Sequence, residues 1–220
     1  MDANVLSKVY QILFAAYGPQ RWWPGETPFE VMVGAVLTQN TAWSNVEKAV
    51  ANLKNGDCLD PSAILNLSDD RLAEMLRPSG YFNIKAGRLK SFCAWYIKLG
   101  RYETLSGMDT LVLRHGLLAV HGIGRETADD ILLYAFKRPV FVIDAYTRRL
   151  FARLGLIRGD ESYEALRHGF ESALGEDTSL FNEYHALIVR HAKEICQKRP
   201  ACERCRLASS CPSADLAKLV

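Results

Sequence analysis

Apolar residues recur at helical spacing along almost the whole chain. One stripe of residues 5–17 is apolar, and Gly18-Pro19 ends that segment. Thr27-Pro28-Phe29-Glu30 combines a capping box with a proline at the first helical position, which predicts that a helix begins there. The same patterns predict further helices over residues 43–53, 61–66, 69–76, 83–99, 110–119, 126–136, 145–154, 162–174 and 180–196.

Strand patterns are almost missing. Residues 139–143 form the one β-like run, and the sequence offers no second run of similar character to pair with it. We therefore expect an extended connection at that point and predict an all-α fold.

Composition narrows the class of protein. The 220 residues are 49% apolar and 24% charged, which suits a folded core and excludes a disordered chain. The longest apolar runs fall far short of the roughly 20 residues that cross a bilayer, and the first residues lack a charged-then-apolar signal pattern. We expect a cytoplasmic protein without membrane contact. The net charge is only +2, but residues 137–220 hold 14 basic and 11 acidic side chains, so positive charge is biased toward the C-terminal part.

Four of the six cysteines crowd into one short segment. They are Cys196, Cys202, Cys205 and Cys211, separated by five, two and five residues. Without a signal peptide, such a cluster indicates metal ligation under reducing conditions rather than disulfides. The spacing is too compact for a zinc ribbon, whose two cysteine pairs lie roughly 15 to 20 residues apart.

A glycine turn and a following aspartate are candidates for chemistry. Gly122 and Gly124 lie between two predicted helices, in a turn that allows close backbone approach and can hold a phosphate. An ordinary helix–loop–helix corner has the same pattern. Asp144 follows the apolar run and opens the next predicted helix, where an aspartate is most simply an N-cap.

The glycine turn, the interval of about 20 residues and Asp144 together resemble the helix-hairpin-helix glycine/proline-rich aspartate superfamily of DNA glycosylases, the endonuclease III relatives. The cysteine segment is similar to the 4Fe-4S loop near the C-terminus of endonuclease III, although its first gap is five residues where six is familiar. A zinc site is the alternative. The resemblance implies a bacterial or archaeal repair enzyme that works on double-stranded DNA as a monomer.

The resemblance also implies an architecture of two lobes. A helical barrel lobe would span residues 20–136 and contain the hairpin, and a cluster lobe would combine residues 137–220 with the first helix, 1–19. The damaged nucleotide would be flipped toward Asp144. The hairpin would contact DNA through Gly122, Gly124, Arg125 and Thr127, and would hold Na⁺ or K⁺ with the backbone carbonyls of Leu118, Val120 and Ile123.

Glu126 distinguishes this chain from endonuclease III itself. In that enzyme the corresponding position holds the lysine that forms a Schiff base, and a carboxylate cannot form an imine. The prediction is a monofunctional glycosylase that uses water. Asp144 would stabilise the sugar cation, and Glu126 would either assist the water or simply favour the helix dipole.

Tryptophans near the N-terminus are the candidates for base recognition. Indole faces attract cationic rings, and alkylated purine nucleosides such as 3-methyladenine carry positive charge. Segments 22–24, 37–41, 77–81 and 122–129 resemble the third class of bacterial 3-methyladenine DNA glycosylases. The resemblance implies a base pocket, and the alternative is that these side chains fill the core. The pocket residues would be Trp22, Trp23, Pro24 and Trp43.

Further DNA contacts are predicted on two side chains and a basic loop. Gln39 matches the endonuclease III residue that fills the space left by the flipped nucleotide, and Tyr81 lies where an aromatic ring would stack on the orphaned base. Both are equally consistent with structural roles. Arg199 and Arg204 lie among the clustered cysteines and suit DNA phosphates, or a solvated loop.

Other functions stay open at the level of sequence. One is a bifunctional glycosylase and AP lyase of the endonuclease III type, or a mismatch-specific thymine or uracil glycosylase. Another, of a different class, is a DNA-binding iron-sulfur protein that excises no base.

Overall fold

The structure is a computed structural model that describes residues 1–216, so the last four residues of the predicted cluster lobe lie outside the described range. Within that range the secondary structure is helical and contains no strand, which confirms the all-α prediction. The α-helices are α1 Ala3–Tyr17, α2 Pro28–Leu37, α3 Trp43–Asn55, α4 Pro61–Asn66, α5 Asp69–Leu76, α6 Phe82–Lys98, α7 Arg101–Ser106, α8 Thr110–Leu118, α9 Arg125–Asp130, α10 Ala145–Arg153, α11 Tyr163–Leu174, α12 Thr178–Glu194 and α13 Pro212–Leu216. Short 3-10 turns cover Arg77–Ser79, Cys202–Arg204 and Ala208–Ser210.

The predicted start of α2 is confirmed in its main feature. Thr27 Oγ1 accepts a hydrogen bond from the Glu30 N–H at 3.2 Å, and Pro28 is the first helical residue. The reciprocal half of the capping box differs, because Glu30 Oε2 accepts the N–H of Glu26 at 3.0 Å. The Glu30 side chain therefore binds the N–H of the residue before the N-cap, whereas in a standard capping box it binds the N–H of the N-cap itself.

Helix α13, helix α7 and a π-helical turn were not predicted. Helix α7 has only six residues and one buried side chain, Leu105, so it produces no amphipathic period. Helix α9 continues into a π-helical turn over Ile131–Ala135, where the Phe136 N–H reaches the Ile131 carbonyl at 3.2 Å. Every residue of that turn is buried, so the bulge is fixed by packing that a periodic pattern does not reveal.

Contacts divide the chain into two compact units. The first contains Met1–Trp22 and the chain from Pro139 onward, and the second contains Trp23–Arg138. In the first unit α1 packs on α11 and α12, and α10 packs on α12. Its core is aromatic: the rings of Phe141 and Phe170 stack at 4.4 Å between centroids.

In the second unit the apolar α2 is central. It packs on α3, α6, α9 and the π-helical turn, and all its residues from Val31 to Leu37 are buried. A helix that is apolar on every side must be covered on every side, which explains its position. Among residues 1–216, no helix combines the length and apolar character that crossing a bilayer requires.

Candidate functional site

The hairpin joins α8 to α9 through residues 119–124. Gly122 has φ +85°, and a Cβ there would lie 2.2 Å from Cγ of Arg88. Both the backbone conformation and the lack of space for a side chain therefore favour glycine at this position. Gly124 has an ordinary extended conformation, and no atom lies within 4 Å of the point where its Cβ would be. The turn is therefore closed on the side of Arg88 and open at Gly124.

Gln39 ties the end of α2 to this hairpin. Its Nε2 donates to the Gly122 carbonyl at 3.0 Å and to Thr127 Oγ1 at 2.9 Å, and Nη1 of Arg88 donates to its Oε1. Three of the predicted DNA-contacting residues are thus joined in one network. The insertion of Gln39 into DNA stays a prediction, and in this structure its amide braces the turn.

The remaining predicted hairpin groups lie around that network. Arg125 and Glu126 are exposed in the first turn of α9, whereas Thr127 is buried. The Val120 carbonyl accepts the Ile123 N–H at 3.1 Å, which closes the turn. Cation binding by the carbonyls of Val120, Ile123 and Leu118 stays a prediction.

Lys85 is a buried lysine that the sequence analysis missed. It is 1% exposed, and its Nζ donates to the carbonyls of Leu37 at 2.9 Å and Ser79 at 2.6 Å. Burial, assisted by the charge of Arg88, lowers the pKa of Lys85 to about 8. The ammonium connects the end of α2 to the turn before Tyr81, whose own ring is 69% exposed.

The aromatic residues of the second unit form a cluster. The rings of Trp23 and Trp43 meet edge to face at 4.9 Å, and Tyr134 covers Trp23 from another side at 4.8 Å. A Cβ on Gly34 would lie 3.1 Å from Trp23 Nε1, so α2 approaches these indoles closely because it has a glycine there. Trp22 belongs to the first unit and is half-buried.

A cavity of about 370 Å³ lies beside Trp43 in the second unit, and Pro24 also lines it. The rest of its lining includes carboxylates: Glu47 accepts the Trp43 indole N–H at 2.8 Å, and Glu30 pairs with Lys54 at 2.9 Å. The cavity therefore offers an indole and a proline together with three carboxylates, of which Glu26 and Glu30 pair with Lys54 in the same lining.

Asp144 is the N-cap of α10 in the first unit, as its position predicted. Its Oδ1 accepts the Thr147 N–H at 2.6 Å, and its Oδ2 lies 3.6 Å from Nε2 of His185. Asp144 is only 7% exposed. Burial alone raises the pKa of Asp144, but the facing imidazole of His185 and the hydrogen bond from the Thr147 N–H outweigh it, so the pKa lies below the usual range. The site holds a buried, ionised carboxylate.

The four clustered cysteines line one cavity of about 270 Å³ in the first unit. All four are free thiols, and the remaining lining is largely apolar. Four thiols around a roomy, mostly apolar cavity fit the donor set of a 4Fe-4S cluster. Within residues 1–216, no group of three or more His, Cys, Asp or Glu side chains is arranged to hold a single metal ion.

Helix α10 is bound to the cysteine loop. Arg153 Nη1 donates to Cys196 Sγ at 3.2 Å and to the Gln197 carbonyl at 2.6 Å, and Arg149 Nε donates to the Cys196 carbonyl at 2.8 Å. The helix that begins at Asp144 is therefore fixed at its other end by the loop. Arg199 and Arg204, on this loop, are exposed.

Comparisons with known proteins identify the family. The model of the HhH-GPD superfamily of base excision DNA repair proteins matches residues 33–176. A putative DNA repair glycosylase of Methanocaldococcus jannaschii is 47% identical over 213 residues, which are 96% of this chain and 97% of that protein.

Two solved structures are similar to this chain over most of its length. A 3-methyladenine DNA glycosylase of H. pylori, bound to 1,N6-ethenoadenine, is 34% identical with a TM-score of 0.74, covering 88% of this chain and 98% of its own. An endonuclease III–DNA complex has a TM-score of 0.85 over 100% of both chains at 19% identity, which shows a common fold. The chain thus belongs to the HhH-GPD superfamily and is a base excision repair DNA glycosylase.

Proposed function

We propose that this glycosylase is monofunctional and hydrolyses the N-glycosidic bond of alkylated purines, such as 3-methyladenine, in duplex DNA. The observation that carries the proposal is the cavity beside Trp43, which combines an indole, a proline and three carboxylates with one lysine, Lys54, so its lining is negative on balance. Indole faces attract delocalised cations by about 0.5–2 kcal/mol, and carboxylates add to that attraction. Such a cavity favours a cationic base over a neutral one.

Asp144 supplies the charge that the reaction needs. As the bond from C1′ to the base nitrogen breaks, its electron pair leaves with the base and positive charge grows on the sugar. A buried carboxylate stabilises that charge strongly, because little solvent screens it. Water then bonds to C1′ and gives up a proton, for which Asp144 is the proposed acceptor.

Glu126 supports hydrolysis rather than lyase chemistry. It occupies the first turn of α9, where endonuclease III has its lysine, and it offers no amine to attack the sugar. Its proposed role is to orient water, and its position also favours the helix dipole.

The preference for alkylpurines has further support in a relative. The H. pylori enzyme, which is 34% identical, is a 3-methyladenine glycosylase. The lesion in that crystal, ethenoadenine, is a second base to test on this chain.

A lesion panel tests the proposal. Purified protein is incubated with duplexes that carry 3-methyladenine, 7-methylguanine, ethenoadenine, thymine glycol, uracil or a G·T mispair, and released base is measured. We expect release of the alkylpurines and its loss in Asp144→Asn. Asp177→Asn is the matched control, because Asp177 caps α12 in the same way, with Oδ1 at 2.9 Å from the Leu180 N–H. Release of thymine glycol, uracil or mispaired thymine alone contradicts the substrate class, and release of no base contradicts the enzymatic proposal in favour of a DNA-binding protein.

We also propose that Cys196, Cys202, Cys205 and Cys211 hold a 4Fe-4S cluster. The four thiols share one cavity, and Arg153 already donates a hydrogen bond to one of them. When bound, the cluster would cross-link the loop and supply a redox-active centre. The chain's own contribution is to fix α10, and with it Asp144, through Arg149 and Arg153.

A further inference from the structure

His185 is a buried titratable side chain next to the proposed catalytic carboxylate. It lies on α12, which packs against α10, and it is 5% exposed. Its Nε2 is 3.6 Å from Oδ2 of Asp144, with side-chain exposures of 6% and 10%. Burying a polar imidazole in a helical core is unfavourable unless it is compensated, and the facing carboxylate provides that compensation.

The two oxygens of Asp144 have different partners. Oδ1 accepts the Thr147 N–H at 2.6 Å, so it is occupied by the N-cap of α10. Oδ2 faces His185, which comes from a separate helix. One carboxylate oxygen therefore accepts a hydrogen bond and the other faces an imidazole at 3.6 Å, so neighbours on two helices limit the rotation of the carboxyl group.

Two neighbouring residues are among the causes that lower the pKa of Asp144. Thr147 contributes from the first turn of α10, and His185 contributes from α12. The neighbouring α12 tyrosine, Tyr184, donates its hydroxyl to the Leu6 carbonyl at 2.8 Å, and Tyr163 of α11 accepts the Ile143 N–H at 3.4 Å. Of these side chains, His185 is the one that faces the second oxygen, at 3.6 Å, which is a distance of electrostatic contact rather than of a hydrogen bond.

We propose that His185 is a positioning residue, whose Nε2–H holds Oδ2 of Asp144 oriented and ionised for the sugar cation. The inference rests on the proposed function of Asp144. No proton leaves the imidazole during the reaction: Nε2 keeps its hydrogen while the glycosidic bond breaks. His185 therefore acts through Asp144 and contacts neither base nor sugar.

Two substitutions separate this role from simple packing. His185→Leu keeps an apolar volume and removes the donor, whereas His185→Gln places an amide N–H near the position of Nε2. We expect His185→Leu to lower the single-turnover rate constant of base release by about tenfold or more, with the Kd for lesion DNA changed by less than about threefold. His185→Gln is expected to recover most of the rate.

The pH dependence of the rate of base release distinguishes this positioning role from a purely structural one, which would leave the pH dependence unchanged. Base release requires ionised Asp144, so the rate falls as pH drops through the pKa of that carboxyl. Since His185 lowers this pKa, His185→Leu is expected to move the acid limb to higher pH, and His185→Gln to move it less. His168→Gln is the matched control: that histidine lies on α11 with 67% of its side chain exposed, and its variant should leave rate and profile unchanged.

Each outcome decides the proposal. A folded His185→Leu with the parent rate and acid limb overturns it, and so does a folded His185→Gln that is as slow as His185→Leu. If His185→Leu does not fold, His185→Phe takes its place, because it keeps a ring of similar shape without a donor. A folded His185→Phe with the parent rate and acid limb overturns the proposal, and a slower variant with its acid limb at higher pH supports it. Failure of the proposed function is distinguished, because there the parent protein releases no base or Asp144→Asn stays active.

Discussion

Arg114 and Asp129 form a bidentate ion pair between the two helices of the hairpin. Nε of Arg114 lies 2.6 Å from Oδ1 of Asp129, and Nη2 lies 3.0 Å from Oδ2. The side chains are 8% and 0% exposed. A planar, doubly hydrogen-bonded pair in the interior fixes the relative orientation of α8 and α9, and hence the shape of the turn that contains Gly122.

Removing one partner of this pair should strongly destabilise the protein. Arg114→Met removes the bidentate ion pair of the fully buried Asp129, and such losses cost about 3–5 kcal/mol of unfolding free energy. Urea denaturation measures the change. Glu74→Gln is the control, since it breaks the exposed pair with Arg77 and should have a much smaller effect. Equal effects of the two substitutions would contradict the assigned role of the buried pair.

The two hairpin glycines should respond differently to a methyl group. Gly122→Ala forces a Cβ into Arg88 at a φ of +85°, so we expect a loss of about 1 kcal/mol or more in unfolding free energy. Gly124→Ala meets open space at an ordinary φ and should change stability little. Thermal unfolding of both variants checks this contrast. If Gly124→Ala were the less stable one, the description of which side of the turn is closed would be wrong.

Helix positions were predictable because capping and periodicity are local signals. Thr27 and Asp144 each accept the N–H of the third residue of their helix, as their places in the sequence indicated. The π-helical turn at Ile131–Ala135 was not predictable, because it depends on packing of residues distant in the sequence. Local chemistry thus specified the elements, and tertiary packing specified their irregularities.

The sequence predicted only those parts of the candidate site that belong to a recognisable motif. The turn at Gly122 and the aspartate at Asp144 follow from spacing, but the partners that brace them do not. Lys85 and His185 each lie on the buried stripe of a helix, where a polar side chain interrupts an apolar pattern. That interruption is the one sequence signal for them. It shows that a buried partner is needed and leaves open which one, since His185 is 41 residues away from Asp144.

Borohydride trapping tests the absence of lyase chemistry. The parent protein should form no covalent complex with DNA that contains an abasic site, because Glu126 cannot form an imine. Glu126→Lys places an amine in the first turn of α9 and is expected to give a trapped band on a denaturing gel. Glu103→Lys, with its amine in the first turn of α7, should give none. A band from the parent protein would mean that a native lysine forms the imine.

Salt dependence of DNA binding tests the exposed arginines of the cysteine loop. If Arg199 and Arg204 each contact one phosphate, Arg199→Gln and Arg204→Gln should each reduce the slope of log K against log salt by about one. Arg158→Gln is the control, since Arg158 pairs with Asp160 and has no predicted DNA contact. Unchanged slopes would make the two arginines part of a solvated loop.

Iron content tests the proposed cluster. Protein purified without oxygen should contain about four irons per chain and absorb at about 400 nm. Cys205→Ser removes one of the four thiols that line the cavity and should lose both iron and thermal stability. The stability should fall because the loop that accepts hydrogen bonds from Arg149 and Arg153 then loses its cross-link, which loosens the end of α10. Cys58→Ser is the matched control, since the Cys58 thiol donates to the Gly56 carbonyl at 2.9 Å and does not line this cavity. A colourless protein with one zinc per chain would contradict the iron-sulfur assignment. If removal of that zinc caused the same loss of stability, the role of the loop in fixing α10 would still be supported.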